Sequence, residues 1–358
     1  MSTRGSQGQV ERLTGAVALS GGVDSTVTAQ FLKEQGHDIF GVTMHLGGPP
    51  PDVSVLQQEL GIKVRVLDLR DEFRRSVIDE FCREYSRGRT PNPCVTCNRA
   101  LKFGRLAAYA RSEGAAFLAT GHYARRLYSS ERGCYGLHQA RHEEKDQSYM
   151  LYGLSQEQLA FARFPLGHFK KEDVRQRAQL AGLSVADASE SQDICFIAGD
   201  YRHFLKEHLP GAFRPGPIVN RHGQRLGTHD GLAGFTIGQR RGLGIRARAP
   251  QYVIALDTLR NALVVGAVED TWATGFVALE ANYLAQTPPP TGILCTVKVR
   301  YRAPKAPCRL YAGADGRLQA TFTAPQRAVT PGQSAVFYDG DEVLGGGIIQ
   351  LVCMTMAP

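Results

Sequence analysis

The chain has 358 residues, 43% of them hydrophobic and 21% charged, with a formal net charge of +8. That length exceeds what one hydrophobic core usually serves, so two or three domains are expected, and the composition excludes a disordered chain. No apolar run reaches the roughly 18 residues that a bilayer-spanning helix needs.

The opening MSTRGSQGQVERL carries no apolar core of the signal-peptide kind, so a cytoplasmic protein is the expectation; no membrane partner and a monomer are expected as well. From Gly15 the chain reads strand, turn, helix, strand. AVALS is apolar, SGGVDS is a glycine turn, and the next stretch spaces Val23, Val27 and Phe31 four residues apart before Gly36. HDIFGVTM supplies the second strand, which makes a βαβ unit with its turn at a strand's carboxyl end. GIKVRVLDL then reads as a strand, DEFRRSVIDEFCREYSRG and NRALKFGRLAAYARSEG as helices, AAFLATGH as a strand and KKEDVRQRAQLAGL as a helix. A parallel α/β domain over residues 11–200 follows.

Beyond it the texture changes. RPGPIVNRHGQRLGTHDGLAGFTIGQRRGLG is glycine-rich without a long helical period, and residues 201–270 are read as a small β-rich domain. ILCTVKVRYRA, LQATFTA, SAVFYDG and EVLGGGIIQLV alternate in short runs, which predicts an antiparallel barrel over 271–358 with TPPPTG near its entry.

Eight cysteines in such a chain are too sparse and irregular for a disulfide framework. Cys82, Cys134, Cys295, Cys308 and Cys353 sit in mixed or apolar surroundings and read as small hydrophobes. Three stretches stand apart. Ser20-Gly21-Gly22-Val23-Asp24-Ser25 lies between strand and helix, where glycine N–H groups and a helix N-terminus cradle phosphate and two serines add hydroxyls. It lacks the Walker lysine, so a P-loop NTPase is not indicated. TPNPCVTCN holds Cys94 and Cys97. The helix expected to begin near Asn98, with Arg99 and Lys102 beside it, would favour a Cys97 thiolate. SQDICFI holds Cys195, whose apolar neighbours would leave it inert if buried. The Cys-x-x-Cys pair alone fits a redox couple, half a zinc site or a nucleophile with a spectator, although no second such pair completes a zinc site.

The hexapeptide resembles the SGGxDS loop of the N-type ATP pyrophosphatases. Together with GVTMHLG, GRTPNPCVTCN, TGHYAR, KDQSYML, SQDICFI, GFTIGQRRGLG, VRYR and PGQSAVFYDGDEVLGGGII, it resembles the tRNA-specific 2-thiouridylase family, the bacterial MnmA type, over nearly the whole chain. The resemblance implies ATP on Ala18, Leu19, Ser20, Gly21, Gly22, Val23, Asp24 and Ser25, bordered by Met44 and Gly121, with Mg²⁺ balancing phosphate charge. It implies that Asn92, Pro93 and Cys94 face the target base. His122, Lys145, Asp146, Gln147, Arg300, Tyr301 and Gln333 would contact tRNA.

The implied reaction adenylates the carbon-2 carbonyl oxygen of the wobble uridine, then replaces AMP with sulfur. In a persulfide route Cys195 carries sulfur from a donor protein and Cys97 frees it, ending as a Cys97–Cys195 disulfide. The family pattern has Asp where this chain has Cys94, and the stretch after Met44 is shorter than usual. Cys94, Cys97 and Cys195 therefore open a second route, a 4Fe-4S cluster with one iron left to bind sulfide. Two rival readings share the glycine loop: a small-molecule ligase such as an amide-forming synthetase, and a non-catalytic RNA-binding or redox protein.

Overall fold

The computed structural model describes residues 12–187, 194–197, 199–284, 287–289, 291–313 and 316–354. Ser191, Gln192 and Asp193 of the Cys195 motif lie outside the described residues. The chain divides into two compact units. The first takes the described chain up to Phe73, Asn98–Ser148 and the stretch from Leu154; the second takes Arg74–Cys97, Tyr149–Gly153 and the described residues from Ile194.

In the first unit, Thr14–Ala18 (β1), Asp38–His45 (β2), Val64–Asp68 (β3) and Phe117–Ala119 (β4) form a parallel sheet. Ala124–Ser129 (β5) and Cys134–Gln139 (β6) make an antiparallel hairpin, and Ala162–Arg163 (β7) joins the parallel sheet beside β4. The order β3-β2-β1-β4-β7 reverses direction at β1, so the loops after β1 and β4 flank the switch point where open α/β sheets take ligands. The central strands are apolar on both faces, as a parallel sheet covered by helices requires: Ala16, Val17, Leu118 and Ala119 are all fully buried.

The helix Val23–Glu34 buries Val23, Val27 and Leu32. Phe31, expected on that stripe, instead sits half-buried and meets Phe169 edge-on, with ring centroids 5.4 Å apart. The β5–β6 hairpin is absent from the sequence-based reading. Its arginines and Tyr128 leave too little alternation of apolar and polar residues to announce it.

The second unit holds two sheets. Gly216–Asn220 (β8), Arg225–His229 (β9), Tyr252–Asp257 (β10) and Ala262–Gly266 (β11) form the first, ordered β10-β11-β8-β9. Trp272–Tyr283 (β12), Ile293–Lys298 (β13), Ala306–Ala312 (β14), Leu318–Arg327 (β15), Ser334–Asp339 (β16) and Glu342–Met354 (β17) form the second. They run β12-β15-β14-β13-β16-β17, all antiparallel, and β12 pairs with β17, so the sheet closes as a six-stranded barrel.

Along β14 and the start of β15 every second residue is buried, with Cys308, Leu310, Leu318, Ala320 and Phe322 directed into the core. Among the described residues each of these six strands therefore has a barrel strand paired on both sides. The barrel begins at Trp272, before TPPPTG. That proline-rich segment links β12 to β13 and is not the barrel's entry, because β12 spends its alternation on Ala, Gly and Thr and hides its period.

Candidate active site

In the first unit the loop after β1 is shaped from within. Gly21 has φ +75°, a conformation that favours glycine. Ser25 is buried, accepts a hydrogen bond from the Ser20 N–H at 3.1 Å and donates to the Gly22 carbonyl at 2.9 Å. Its hydroxyl is therefore spent on the loop's shape. Ser20 is exposed, with its Oγ 3.2 Å from that of Ser25, and is the serine presented outward.

The TGHY segment after β4 lies on the start of the helix Val23–Glu34. A Cβ at Gly121 would stand 2.8 Å from the Asp24 carbonyl carbon and 2.9 Å from the Ser25 nitrogen, so only glycine permits this approach. Tyr123 donates its hydroxyl to Asp24 Oδ1 at 2.7 Å, and Lys171 donates to the same oxygen at 2.6 Å. Lys171 is only 6% exposed. It opens the helix Lys171–Leu180, and the sequence had offered that stretch only as a helix. No local signal marks Lys171: two adjacent lysines before a helical period read as surface charge, and only the tertiary fold buries one of them against Asp24.

His122 is part-buried, with Nδ1 2.8 Å from Thr120 Oγ1. Loss of hydration, and then the nearby charge of Lys102, hold its pKa well below the ordinary histidine value. Asp146 is buried and accepts four hydrogen bonds: from Gln139 Nε2 at 3.0 Å, Ala140 N–H at 3.0 Å, Ser148 N–H at 3.2 Å and Ser148 Oγ at 2.8 Å. Gln147 and Tyr123 exchange bonds, with Gln147 N–H donating to the Tyr123 carbonyl at 2.8 Å and Tyr123 N–H to Gln147 Oε1 at 3.0 Å. The Lys145–Gln147 segment is thus tied to TGHY through Gln147 while Asp146 anchors it, and Lys145, at the end of the Glu143–Lys145 turn, is half-buried. Met44 lies near the carboxyl end of β2, beside β1 in the sheet.

In the second unit the cysteine segment departs from the sequence reading. The helix starts at Pro93, not near Asn98, with Asn92 as its N-cap: the Asn92 side chain accepts from the Cys94 N–H at 3.2 Å. Asn before Pro is the signal that the sequence reading passed over, since proline suits the first helical position. Cys94 therefore occupies the helix start that had been given to Cys97. Cys97 is buried and opens a π-helical stretch, Cys97–Leu106, within the continuing helix. Such wide turns are rare and recur at functional sites.

The chain just before Cys94 is fastened to the barrel. Thr90 N–H donates to the Pro331 carbonyl at 2.9 Å, and Gln333 Nε2 donates to the Thr90 carbonyl at 2.8 Å. Asn92 Nδ2 reaches Met150 Sδ at 3.4 Å, Tyr149 donates to the Ser334 carbonyl at 2.8 Å, and the Tyr149 and Tyr301 rings lie 5.8 Å apart. Arg300 Nη2 donates to the Ile237 and Ala328 carbonyls, both at 2.9 Å, and to Thr330 Oγ1. Asn92, Tyr301 and Gln333 thus belong to one connected neighbourhood, and Arg300 braces the loop that carries it.

Cys195 is exposed. Its neighbours Ile194, Phe196 and Ile197 pack with Phe81, Tyr85 and Phe204, Phe196 meeting Phe81 edge-on at 5.5 Å. The apolar flank anchors the segment and leaves the thiol outward, so burial does not silence it. Among the described residues no three His, Cys, Asp or Glu side chains stand close enough to hold a metal ion.

Known sequences share this arrangement. Residues 14–199 match the family described as tRNA methyl transferase HUP domain, 202–267 its PRC-barrel domain, and 273–349 the aminomethyltransferase beta-barrel domain. A protein of Desulforudis audaxviator named tRNA-specific 2-thiouridylase MnmA is 47% identical over 338 residues, covering 94% of this chain and 98% of that relative. The chain belongs to the tRNA-specific 2-thiouridylase family. Two further members are similar along their length: that of Moorella thermoacetica, 46% identical over 94% of this chain and 99% of its own, and that of Trichlorobacter lovleyi, 45% identical over 96% and 99%. The 2-thiouridylase family's ATP-pyrophosphatase fold accounts for the parallel sheet, with its glycine loop at the switch point.

Proposed function

We propose that this chain is a tRNA-uridine 2-sulfurtransferase, which spends ATP to replace the carbon-2 oxygen of the wobble uridine with sulfur. What carries this reading is the near-whole-length match, 47% identical, to a relative named for that activity. ATP sits on Ala18–Ser25, with Met44 and Gly121 bordering the adenosine. The glycine N–H groups and the helix N-terminus bind its phosphates. Magnesium on the phosphates would supply charge neutralisation when bound.

The uridine carbonyl oxygen attacks the α-phosphorus and pyrophosphate leaves, giving an O-adenylylated base whose carbon 2 is electrophilic. Asn92, Pro93 and Cys94 face that base, and Lys145, Gln147, His122, Arg300, Tyr301 and Gln333 bind the RNA around it. A base in an anticodon loop is turned into such a pocket at lower cost than one in a duplex.

A donor leaves sulfur on Cys195 as a persulfide. Its terminal sulfur attacks carbon 2 and AMP departs. Cys97 then attacks the Cys195 sulfur, the Cys195–sulfur bond to the outer atom breaks, and 2-thiouridine leaves with a Cys97–Cys195 disulfide behind. A thiol reductant restores both cysteines. The exposure of Cys195 supports its part as the sulfur acceptor, since a donor protein must reach it. No step is assigned to an iron-sulfur cluster.

The test supplies purified chain with ATP, magnesium, tRNA and a persulfide donor, and measures AMP, pyrophosphate and 2-thiouridine. Equal yields are expected, with thiouridine lost in Cys97→Ser and Cys195→Ser. ATP–pyrophosphate exchange driven by an amino acid and not by tRNA would instead identify a small-molecule ligase. Absence of AMP release would identify a non-catalytic RNA binder. Iron and sulfide bound stoichiometrically after anaerobic purification, with activity that follows them, would replace the persulfide route by the cluster route.

A further inference from the structure

We propose that Lys171 is a pyrophosphate-binding residue of the adenylylation step, stored on Asp24 until ATP arrives. The proposal rests on the reading of residues 18–25 as the ATP loop. A lysine ammonium that is almost wholly buried must be paired, because an uncompensated buried charge costs several kcal/mol. Lys171 has that pairing in Asp24 Oδ1 at 2.6 Å, with the face of the Tyr123 ring 5.8 Å away. Tyr123 donates to the same carboxylate oxygen at 2.7 Å, so one oxygen holds two donors.

A purely structural role leaves the location unexplained. Asp24 lies in the first turn of the helix Val23–Glu34 and already complements that helix's positive end without a lysine. Well-packed apolar residues usually replace a buried ion pair without loss of stability. This pair stands instead beside the Gly21–Gly22 turn, where glycine N–H groups meet the N-terminus of the helix Val23–Glu34. The sheet brings it there from two sides: Tyr123 from the segment after β4, and Lys171 from the start of a later helix. Both converge on the acid of the loop.

When the α-phosphorus bond breaks, negative charge gathers on the departing pyrophosphate. Lys171 transfers its hydrogen bond from Asp24 to a β- or γ-phosphate oxygen, and Tyr123 keeps Asp24 oriented. No covalent bond is made or broken by either residue. The side chain contributes charge at the leaving group and none at the adenosine, so its loss separates ligands by their phosphates.

The experiment is calorimetric titration of the full chain with ATP, inorganic pyrophosphate and AMP, comparing wild type, Lys171→Met, Lys171→Arg and Lys170→Met, with thermal denaturation of each. Lys170 is an exposed neighbour and controls for the loss of one charge. Expected for Lys171→Met is a loss of roughly ten- to a hundredfold in affinity for ATP and pyrophosphate with AMP affinity within about twofold, as for one charge-assisted contact. Lys171→Arg should recover part of it, and Lys170→Met should behave as wild type. Equal weakening of AMP, ATP and pyrophosphate, or a lower melting temperature with no change in any of the three, would overturn the proposal. If Lys171→Met proves unstable, the arginine variant, which keeps the charge but changes its reach, still reports: unchanged pyrophosphate affinity beside weakened AMP would also overturn it. A wild-type chain that binds none of the three ligands would refute the ATP-loop reading itself, a result separable from every variant outcome.

Discussion

Gly121 shows how one missing carbon positions a ligand site. The Asp24 backbone and Cβ and the Ser25 nitrogen all stand within 2.9 Å of where a Cβ would be, and none of these atoms belongs to a side chain that can swing aside. Gly121→Ala must therefore displace either the TGHY segment or the first turn of the helix. Overpacking of this kind costs about 1–3 kcal/mol. ATP affinity measured by titration should fall at least tenfold, while wild-type affinity would show that the close approach plays no part in the loop. His122, one residue on, carries a pH prediction. Its folded pKa lies below the ordinary value near 6.5, so on acidification the unfolded chain takes up the proton first. The stabilisation is complete above about pH 6.5 and declines as pH falls toward the lower folded value. Urea midpoints at pH 7.5 and 5.5 should show wild type losing more stability than His122→Gln, with a difference in slope of up to about 1.4 kcal/mol per pH unit. Equal slopes would remove His122 from the account.

At the scale of elements, the π-helical stretch Cys97–Leu106 has an identifiable support. Gln158 Nε2 donates to the Arg99 and Phe103 carbonyls, both at 3.0 Å, while its other end completes a capping box with Ser155 at the start of the helix Gln156–Phe161. Widened turns displace carbonyls from the regular ladder, and a side-chain donor that serves two of them holds that geometry. Gln158→Ala should cost about 1–3 kcal/mol in chemical denaturation and speed amide exchange across Arg99–Leu106. Unchanged exchange there would mean that the π-turns are held by other contacts. The same element marks the limit of legibility. Hydrophobic period revealed β1, the first helix, β2 and the alternating barrel strands, because burial on one face imprints itself on sequence. The helix start at Pro93 was also written there, in Asn92 followed by proline, but the apolar period begins later and outweighed it. Phe31, expected on the buried stripe, is half-buried while its neighbour Leu32 is buried, a one-position error within the tolerance of a helical pattern. Cys195 kept its apolar neighbourhood and turned outward, and Lys171 was buried by packing from a distant strand end. Exposure of a single side chain on a turn is decided by tertiary contacts, so no local pattern could supply either.

For the whole molecule the charge balance becomes testable. With 42 lysines and arginines against 34 acids, the chain carries a net positive charge of +8. Several basic side chains already serve internal partners: Lys171 pairs with Asp24, and Arg89 engages Glu84 and Gln350. Binding of a large polyanion should draw on the remainder through phosphate contacts, whereas ATP meets one loop. The two ligands must then differ in salt dependence. Each neutralised phosphate releases condensed counterions, so even about three contacts weaken RNA binding by tens of fold between 50 and 200 mM salt. Filter binding or anisotropy with tRNA across that range should give a straight line of negative slope on a double-logarithmic plot, while ATP affinity changes far less at constant magnesium. Parallel slopes for the two ligands would show that tRNA is held by base and shape contacts with little help from the protein's net charge. Substituting Lys145, proposed above to bind the RNA, should then lower the tRNA slope by about one and leave that for ATP unchanged.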